Sequence, residues 1–490
     1  MKVAALAVVL AGIAAVAYAK GHSHTHEAFR QPAALLPFKS LRRFHANHQA
    51  ALKKSADLRG INAAPERFWS NRQYWNGEGP VFLYVGGEGA LSGYEVVSGE
   101  NVELAQAHGA LLFALEHRFY GGSQPTSDLS LENMGLLSSH QALADLATFV
   151  TWANEEYGIP ADAKWVTFGG SYPGALSAWA RLKFPNLIHA AVASSGPVQA
   201  KLDFTGYHTV VAESLKLEEI GGSQLCYDRT RAAFQTVTDV VKSGQQDMYD
   251  NLQKQFCMCG GNVTNADDVA TFVSDLADSF DESVQYDREA GPIDSVAYLC
   301  SLMNDTSHSP LTALAQFYKD SHNSDSCTFC NSNTSYAASL IEMMNTTTPP
   351  PHGVGLRQWI WQTCSQFGYY QTCEPDTPCP FSPYMTLASN TDICRDVYNM
   401  TVEEVTAAIN FTNSWYGGNS TVAERVVYVD GTVDPWHALA VIETLQPESP
   451  AILIDGAAHC RDLRPSNEND TPALKAARKQ IASYLADWLK

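Results

Sequence analysis

The sequence predicts an α/β fold, a mostly parallel sheet covered by helices and interrupted by a helical, cysteine-rich insertion. Three observations predict it. Short apolar runs of strand length alternate with helical stretches up to about residue 204, the pattern of a parallel sheet covered on both faces. That alternation stops over 205–410, a stretch of helical periodicity that also holds ten of the eleven cysteines, from Cys226 to Cys394. It resumes at Val426 and runs to the end of the chain.

The elements follow in order. After Pro80, Val81–Val85 reads as a buried strand, Val102–Ala107 as helical and Leu111–Leu115 as a second strand. A helix over 139–156 carries Leu143, Leu146, Ala147 and Val150 on one face, and Ser138 to Gln141 is an S-x-x-Q capping box at its start. Trp165–Phe168 is a strand, Leu176, Trp179 and Ala180 share one face of the next helix, and Ala190–Ala193 is a further strand. Inside the insertion, Arg229–Val241 and Val269–Phe280 read as helices, with no buried parallel-strand runs. Val426–Val429 and Ala451–Ile454 are strands, and a helix from Pro472 to Leu489 closes the chain. At 490 residues the chain exceeds one simple core. Its expected organisation is 1–19 signal peptide, 20–66 basic leader or propeptide, 67–204 first part of the core, 205–410 helical cap, and 411–490 second part of the core.

Chemistry enters at Ser171. Trp165–Phe168 runs into Gly169-Gly170-Ser171-Tyr172-Pro173-Gly174 and straight on into a helix. A serine on such a turn is a nucleophile elbow: its hydroxyl stands at the sheet edge, and the helix N-terminus offers N–H groups to an oxyanion. The plain alternative is an ordinary Gly/Ser turn. Two later segments favour the elbow, because an acid and a histidine follow strands in the order this chemistry requires. Asp430-Gly431-Thr432-Val433-Asp434-Pro435-Trp436 comes after Val426–Val429, and Asp455-Gly456-Ala457-Ala458-His459 comes after Ala451–Ile454. His459 would take the proton from Ser171, and the acid would orient the imidazole. Asp430 and Asp434 compete for that place, with Asp430-Gly431 reading as a turn. The expected fold is therefore an α/β-hydrolase with a helical, disulfide-rich cap. The oxyanion hole would use the N–H of Tyr172 and, from the loop after the first core strand, that of Gly87. Glu88, next in that loop, reads equally as a contact for a substrate amine or as a solvated acid.

Several separated motifs resemble the prolyl carboxypeptidase family, which includes a dipeptidyl peptidase and the thymus-specific serine protease. They are Gly169-Gly170-Ser171-Tyr172, Asp434-Pro435-Trp436, Ala458-His459 with Asp462-Leu463-Arg464, Phe82-Leu83-Tyr84 with Gly86-Gly87-Glu88-Gly89, and Glu116-His117-Arg118-Phe119-Tyr120-Gly121. Arg181-Leu182-Lys183-Phe184-Pro185, Gln362-Thr363-Cys364, His437 and His459-Cys460 look most like the thymus-specific branch. The resemblance runs from about Phe68 to the C-terminus. It implies a helical cap, Asp434 as the acid, and cleavage next to proline with a short unit released from a peptide end. It also implies Trp436 as a pocket tryptophan, and Phe367 and Tyr369 are candidate walls from the cap. Ala175 stands where prolyl carboxypeptidase has methionine, so the pocket is expected to be roomier. Gln366 replaces an acid of the relatives, and Pro173 replaces a glycine at a first-turn position that tolerates proline. The resemblance allows a homodimer.

Composition bounds the rest. Met1-Lys2, an apolar run from Val3 to Val16 and Ala17-Tyr18-Ala19 read as a signal peptide. The run is shorter than the roughly 20 residues a membrane span needs. Eight N-x-S/T sequons, at Asn262, Asn304, Asn333, Asn345, Asn399, Asn410, Asn419 and Asn469, suit an exported glycoprotein. Ten cysteines allow five bridges, leaving Cys460 as an expected buried free thiol. Cys327-Thr328-Phe329-Cys330 lacks the second pair or histidines that a zinc site needs. His22, His24 and His26 form an alternating run in the leader; neither a metal nor another cofactor is expected. The net charge is −20. Residues 20–72 hold ten Lys/Arg against three Asp/Glu, so the body beyond them carries about −28. So acidic a body argues against nucleic acid or an anionic membrane as partner, leaves peptides as substrates, and suits an extracellular or lysosomal setting. An esterase of the same fold would share the three residues. A catalytically silent binding protein would have lost one of them.

Overall fold

The computed structural model describes residues 66–288, 293–322, 327, 330, 332–348, 355–421 and 423–490. The signal and leader segments, with the His22/His24/His26 run, lie outside the described residues up to residue 65.

A seven-stranded sheet organises the chain. Its strands are β1 (Phe68–Asn71), β2 (Val81–Val85), β3 (Leu111–Leu115), β4 (Trp165–Gly170), β5 (Ala190–Ser194), β10 (Val426–Gly431) and β11 (Ala451–Ile454). They lie in the order β1-β3-β2-β4-β5-β10-β11. All pairings are parallel except β1 with β3, where Phe68 faces Leu115. The two-residue period of a strand sends alternate side chains to opposite faces, and two cores result. Leu83, Phe113 and Trp165 point into the larger one, with Leu143, Leu146 and Phe149 of the helix α2 (Ser139–Tyr157) and Leu176 and Trp179 of α3 (Tyr172–Lys183). Phe82, Leu112, Val166 and Val427 point into the other. There they meet Leu104 of α1 (Glu100–His108) and Leu474, Ile481 and Leu485 of the C-terminal helix Pro472–Trp488. Both faces are covered, which is why the strands read as continuous apolar runs. Strand β1 escaped the sequence reading because Phe-Trp-Ser-Asn is short and only half-buried.

Capping departs from expectation at α2. Ser138 Oγ accepts from the Gln141 N–H, but among the described residues no return bond from the Ser138 N–H to the Gln141 side chain completes the box. The reciprocal capping box appears instead between Thr401 and Glu404, at the start of the helix Val402–Tyr416.

Neighbouring strands β5 and β10 are separated in sequence by residues 195–425, which leave the sheet as a helical insertion and return. Its helices include α4 (Thr205–Ser214), α5 (Gln224–Lys242), α6 (Ala266–Gln285) and α7 (Leu356–Gln362). Two miniature parallel sheets, β6 (Lys201–Asp203) with β9 (Gly368–Tyr370) and β7 (Met258–Cys259) with β8 (Ser332–Asn333), qualify the expectation of no buried parallel-strand runs. They are too short to leave a periodic signal. Five disulfides tie the insertion: Cys226–Cys300, Cys257–Cys327, Cys259–Cys330, Cys364–Cys394 and Cys373–Cys379. The C-x-x-C cysteines are thus bridged to partners elsewhere, and Cys460 is free but only half-buried, a correction to the buried thiol expected. The insertion is fastened to the helix after Ser171: Trp179 stacks on Tyr416 at 3.9 Å between ring centroids, and the Tyr416 hydroxyl lies 3.0 Å from Ser139 Oγ. No helix among the described residues is long and apolar enough to cross a membrane.

Candidate active site

Ser171 sits at the junction of β4 and α3 with φ 66° and ψ −135°. This is a left-handed conformation that serine adopts only under constraint. The constraint is visible. The Ser171 N–H donates to Ser194 O at 3.0 Å, and the Ser171 carbonyl accepts from Gly174 and Ala175. Glycines make the turn: a Cβ at Gly169 would fall 2.2 Å from Pro173 O, and one at Gly174 would fall 2.3 Å from Ser194 O. Pro173 occupies the first turn of α3, where its lack of an N–H costs little. Its ring lies where a Cβ on Gly87 would go, 2.3 Å away. The loop after β2 therefore packs directly on the turn that carries Ser171.

The histidine loop reaches the same turn. A Cβ on Gly170 would lie 2.7 Å from Cys460 Sγ, and the Cys460 N–H donates to Ser195 Oγ at 2.8 Å. His459 is buried, with Nδ1 2.9 Å from Asp434 Oδ2. Asp434 is fully buried, and its other oxygen accepts from the Trp436 N–H at 2.9 Å. His459 Nε2 is buried without a hydrogen-bond partner among the described residues. Burial opposes the charged imidazole, but the Asp434 carboxylate, with Cys460 beside it, more than reverses this and holds its proton affinity well above the ordinary value.

Asp430 does not meet the histidine in this way. It is a buried residue of β10, not a turn. Burial, then the Asp434 and Asp462 carboxylates, hold its carboxyl well above the usual range. The Asp-Gly pair that suggested a turn is overridden by sheet pairing, Asp430 facing Leu453 and Gly431 facing Ile454.

One residue that the sequence did not single out links these loops to the insertion. Gln285, the last residue of α6, accepts the His459 N–H on its backbone carbonyl at 2.9 Å. Its Oε1 accepts from Trp436 Nε1 at 2.9 Å and from the Tyr207 hydroxyl of α4 at 2.7 Å. An amphipathic-helix pattern carries no signal for such a role.

The other candidates gather around this centre. The Tyr172 hydroxyl lies 3.0 Å from His117 Nε2 and accepts from Gln362 Nε2 at 3.1 Å. Burial pushes the His117 imidazole down to about 4, so it stands neutral. Phe367 packs 5.3 Å from the Tyr172 ring, and Tyr369 packs edge-on to Trp436 at 5.3 Å. Phe204 and Tyr207 complete the aromatic surround of Trp436. Ala175 is fully buried in the first turns of α3. Glu88 is also buried, not a solvated loop acid, and burial raises its carboxyl to about 7. Gln366 is buried too and spends its amide on Ser139 and His140. No cluster of three or more His, Cys, Asp or Glu among the described residues could hold a metal ion.

The chain is similar to known proteins over most of its length. The chain is 39% identical over 434 residues to thymus-specific serine protease of Mus musculus, covering 87% of this chain and 84% of that one. The Homo sapiens protein of the same name gives 39% identity with 87% and 83% covered. Lysosomal Pro-X carboxypeptidase of Bos taurus is 23% identical, over 86% of this chain and 84% of its own length. Residues 63–481 match the family described as serine carboxypeptidase S28, and with 39% identity to two of the relatives the chain belongs to that family of serine peptidases.

Proposed function

We propose that the protein is a serine exopeptidase of the secretory pathway, extracellular or lysosomal, that cuts peptides next to proline through Ser171, His459 and Asp434. The observation that carries this is the buried pair of His459 Nδ1 and Asp434 Oδ2 at 2.9 Å, with the unpartnered Nε2 on a loop packed against the strained Ser171 turn. In this reading His459 Nε2 takes the Ser171 proton as Oγ attacks the scissile carbonyl, and Asp434 stabilises the imidazolium. The N–H groups of Tyr172 and Gly87 receive the oxyanion. His459 then passes its proton to the leaving amine, and water attacks the acyl-enzyme by the reverse sequence.

Proline preference is supported by the aromatic surround of Trp436, formed by Phe204, Tyr207 and Tyr369, and by the Pro-X specificity in the bovine relative's name. A compact apolar ring suits apolar walls whose polar atoms are already engaged, as the Trp436 indole N–H is by Gln285. Export is supported by the disulfides and by the eight sequons, whose asparagines all lie at the surface, Asn304 half-buried and the other seven exposed. We place residues 1–19 as the signal peptide and 20–66 as a leader.

The test is mass spectrometry of a proline-scanned peptide mixture digested between pH 4 and 8, against Ser171→Ala made in the same secretory host. Loss of residues from one peptide end, next to proline and absent in the variant, is the expected outcome. Ester hydrolysis without peptide cleavage would overturn the peptidase reading.

A further inference from the structure

Glu88 is a buried carboxyl without a resident cation. It follows Gly86-Gly87 beyond β2, is 5% exposed, and its Oε2 has no hydrogen-bond partner among the described residues. The favourable charge it feels is that of His459, with no lysine or arginine contributing. Tyr120, Tyr172, Tyr286 and Tyr369 are close enough to feel its charge in turn. Three of these hydroxyls are committed elsewhere. Tyr120 donates to Gln362 Oε1, Tyr172 is held between His117 and Gln362, and Tyr369 donates to the Pro197 carbonyl.

An unpartnered carboxylate oxygen in a buried site is costly. Placed next to Gly87 and within the field of His459, it is suited to a cation that arrives with the substrate. A peptide bound at its end offers one of two charges. The α-ammonium would complete the Glu88 carboxylate with a charge-assisted hydrogen bond. The terminal carboxylate would be repelled by it.

We propose that Glu88 anchors the free α-ammonium group of the substrate, so that the enzyme releases a short unit from the N-terminus. This rests on the serine-peptidase reading and assigns its polarity. The distance from the anchored amine to Ser171 then sets how many residues leave. A chain with the amine blocked loses the anchor.

The experiment compares Ala-Pro-p-nitroanilide, its N-acetyl form and N-acetyl-Ala-Pro-Phe on the glycosylated enzyme and on Glu88→Gln and Glu88→Asp. Labelling of Ser171 by a fluorophosphonate, which carries no amine, reports whether each chain folds with a working nucleophile. The parent enzyme is expected to prefer the free amine by about 100-fold in kcat/KM, the range of a hydrogen bond to a charged group. Glu88→Gln should lose most of that preference, and Glu88→Asp should keep part of it. Release of Phe from N-acetyl-Ala-Pro-Phe in preference to cleavage of the free-amine substrate would overturn the assignment. So would an unchanged preference in a labelled Glu88→Gln chain. Absence of Ser171 labelling in the parent enzyme would instead bring down the serine-peptidase reading beneath it.

Discussion

Gln285→Met keeps the length and bulk of the side chain and removes the acceptor shared by Trp436 Nε1 and the Tyr207 hydroxyl. Both donors are buried, Tyr207 at 0% and Trp436 at 3% exposure, so water cannot replace the lost partner. Orphaning a buried donor costs about 1–3 kcal/mol. Because the two share one acceptor their costs do not simply add, and a total of about 2–4 kcal/mol is expected. The damage should reach the chemistry. The backbone N–H of Trp436 holds Asp434 Oδ1, so an indole released from Gln285 lets that backbone shift and loosens the carboxylate that faces His459. A misplacement of about 1 Å can cost about 10²-fold in rate, and we expect kcat to fall roughly 10- to 100-fold. The assay pairs urea unfolding followed by tryptophan fluorescence with steady-state kinetics on a proline-containing peptide. Parental stability together with parental kcat would refute the reasoning. Lost stability with unchanged kcat would confine Gln285 to holding the insertion down.

Two further outcomes discriminate among the acids. Asp434→Asn should lower kcat by about 10⁴-fold, the cost of misorienting a triad histidine, whereas Asp430→Asn should leave it within about threefold, because Asn is close in shape to the protonated carboxyl that burial and its acidic neighbours impose on Asp430; equal losses in the two variants would contradict the assignment. Stability should be higher near pH 5 than near pH 7.5. Burial raises Glu88 and Asp275 to about 7 and Asp462 to about 6, so the folded chain keeps protons at pH values where the unfolded chain has released them. Their contribution is complete below the ordinary carboxylate range near pH 4 and is lost as pH rises through 6 and 7. Thermal melts across that range check the sign, and Asp462→Asn should flatten the slope.

The parts of the fold that were legible share one property: the side chains themselves carry the pattern. Val81–Val85 and Leu111–Leu115 are buried on both faces or nearly so, Ala451–Ile454 is an apolar edge strand with Leu453 exposed, and the bounds of all three match the strands observed. Ser171, His459 and the competing pair Asp430 and Asp434 could be picked out as candidates because each follows a strand in a fixed chain order, and the family resemblance, not the order, chose Asp434. What stayed hidden depends on contacts between distant segments. Asp430-Gly431 looks like a turn until β11 pairs with it. Gln285 is one polar residue at a helix end, and its partners lie 78 and 151 positions away in the chain. Glu88 could be read as solvated or buried, and only the packing of its surroundings decides between them. Cys460 could be named as the leftover thiol by counting, but the packing of its sulfur against Gly170 could not be read from the sequence.

The long detour between β5 and β10 has a consequence in time. Strand β10 cannot take its place beside β5 until residues 195–425 have been made and the chain has come back, and closing so large a loop is slow compared with forming local structure. All five disulfides close within the detour, across separations of 6 to 74 residues, so none of them ties the two parts of the sheet together. During synthesis the Ser171 turn therefore emerges long before the residues that would activate it. On the mechanism proposed above, a growing chain would carry an inert serine, and reactivity would wait until the last strands had docked.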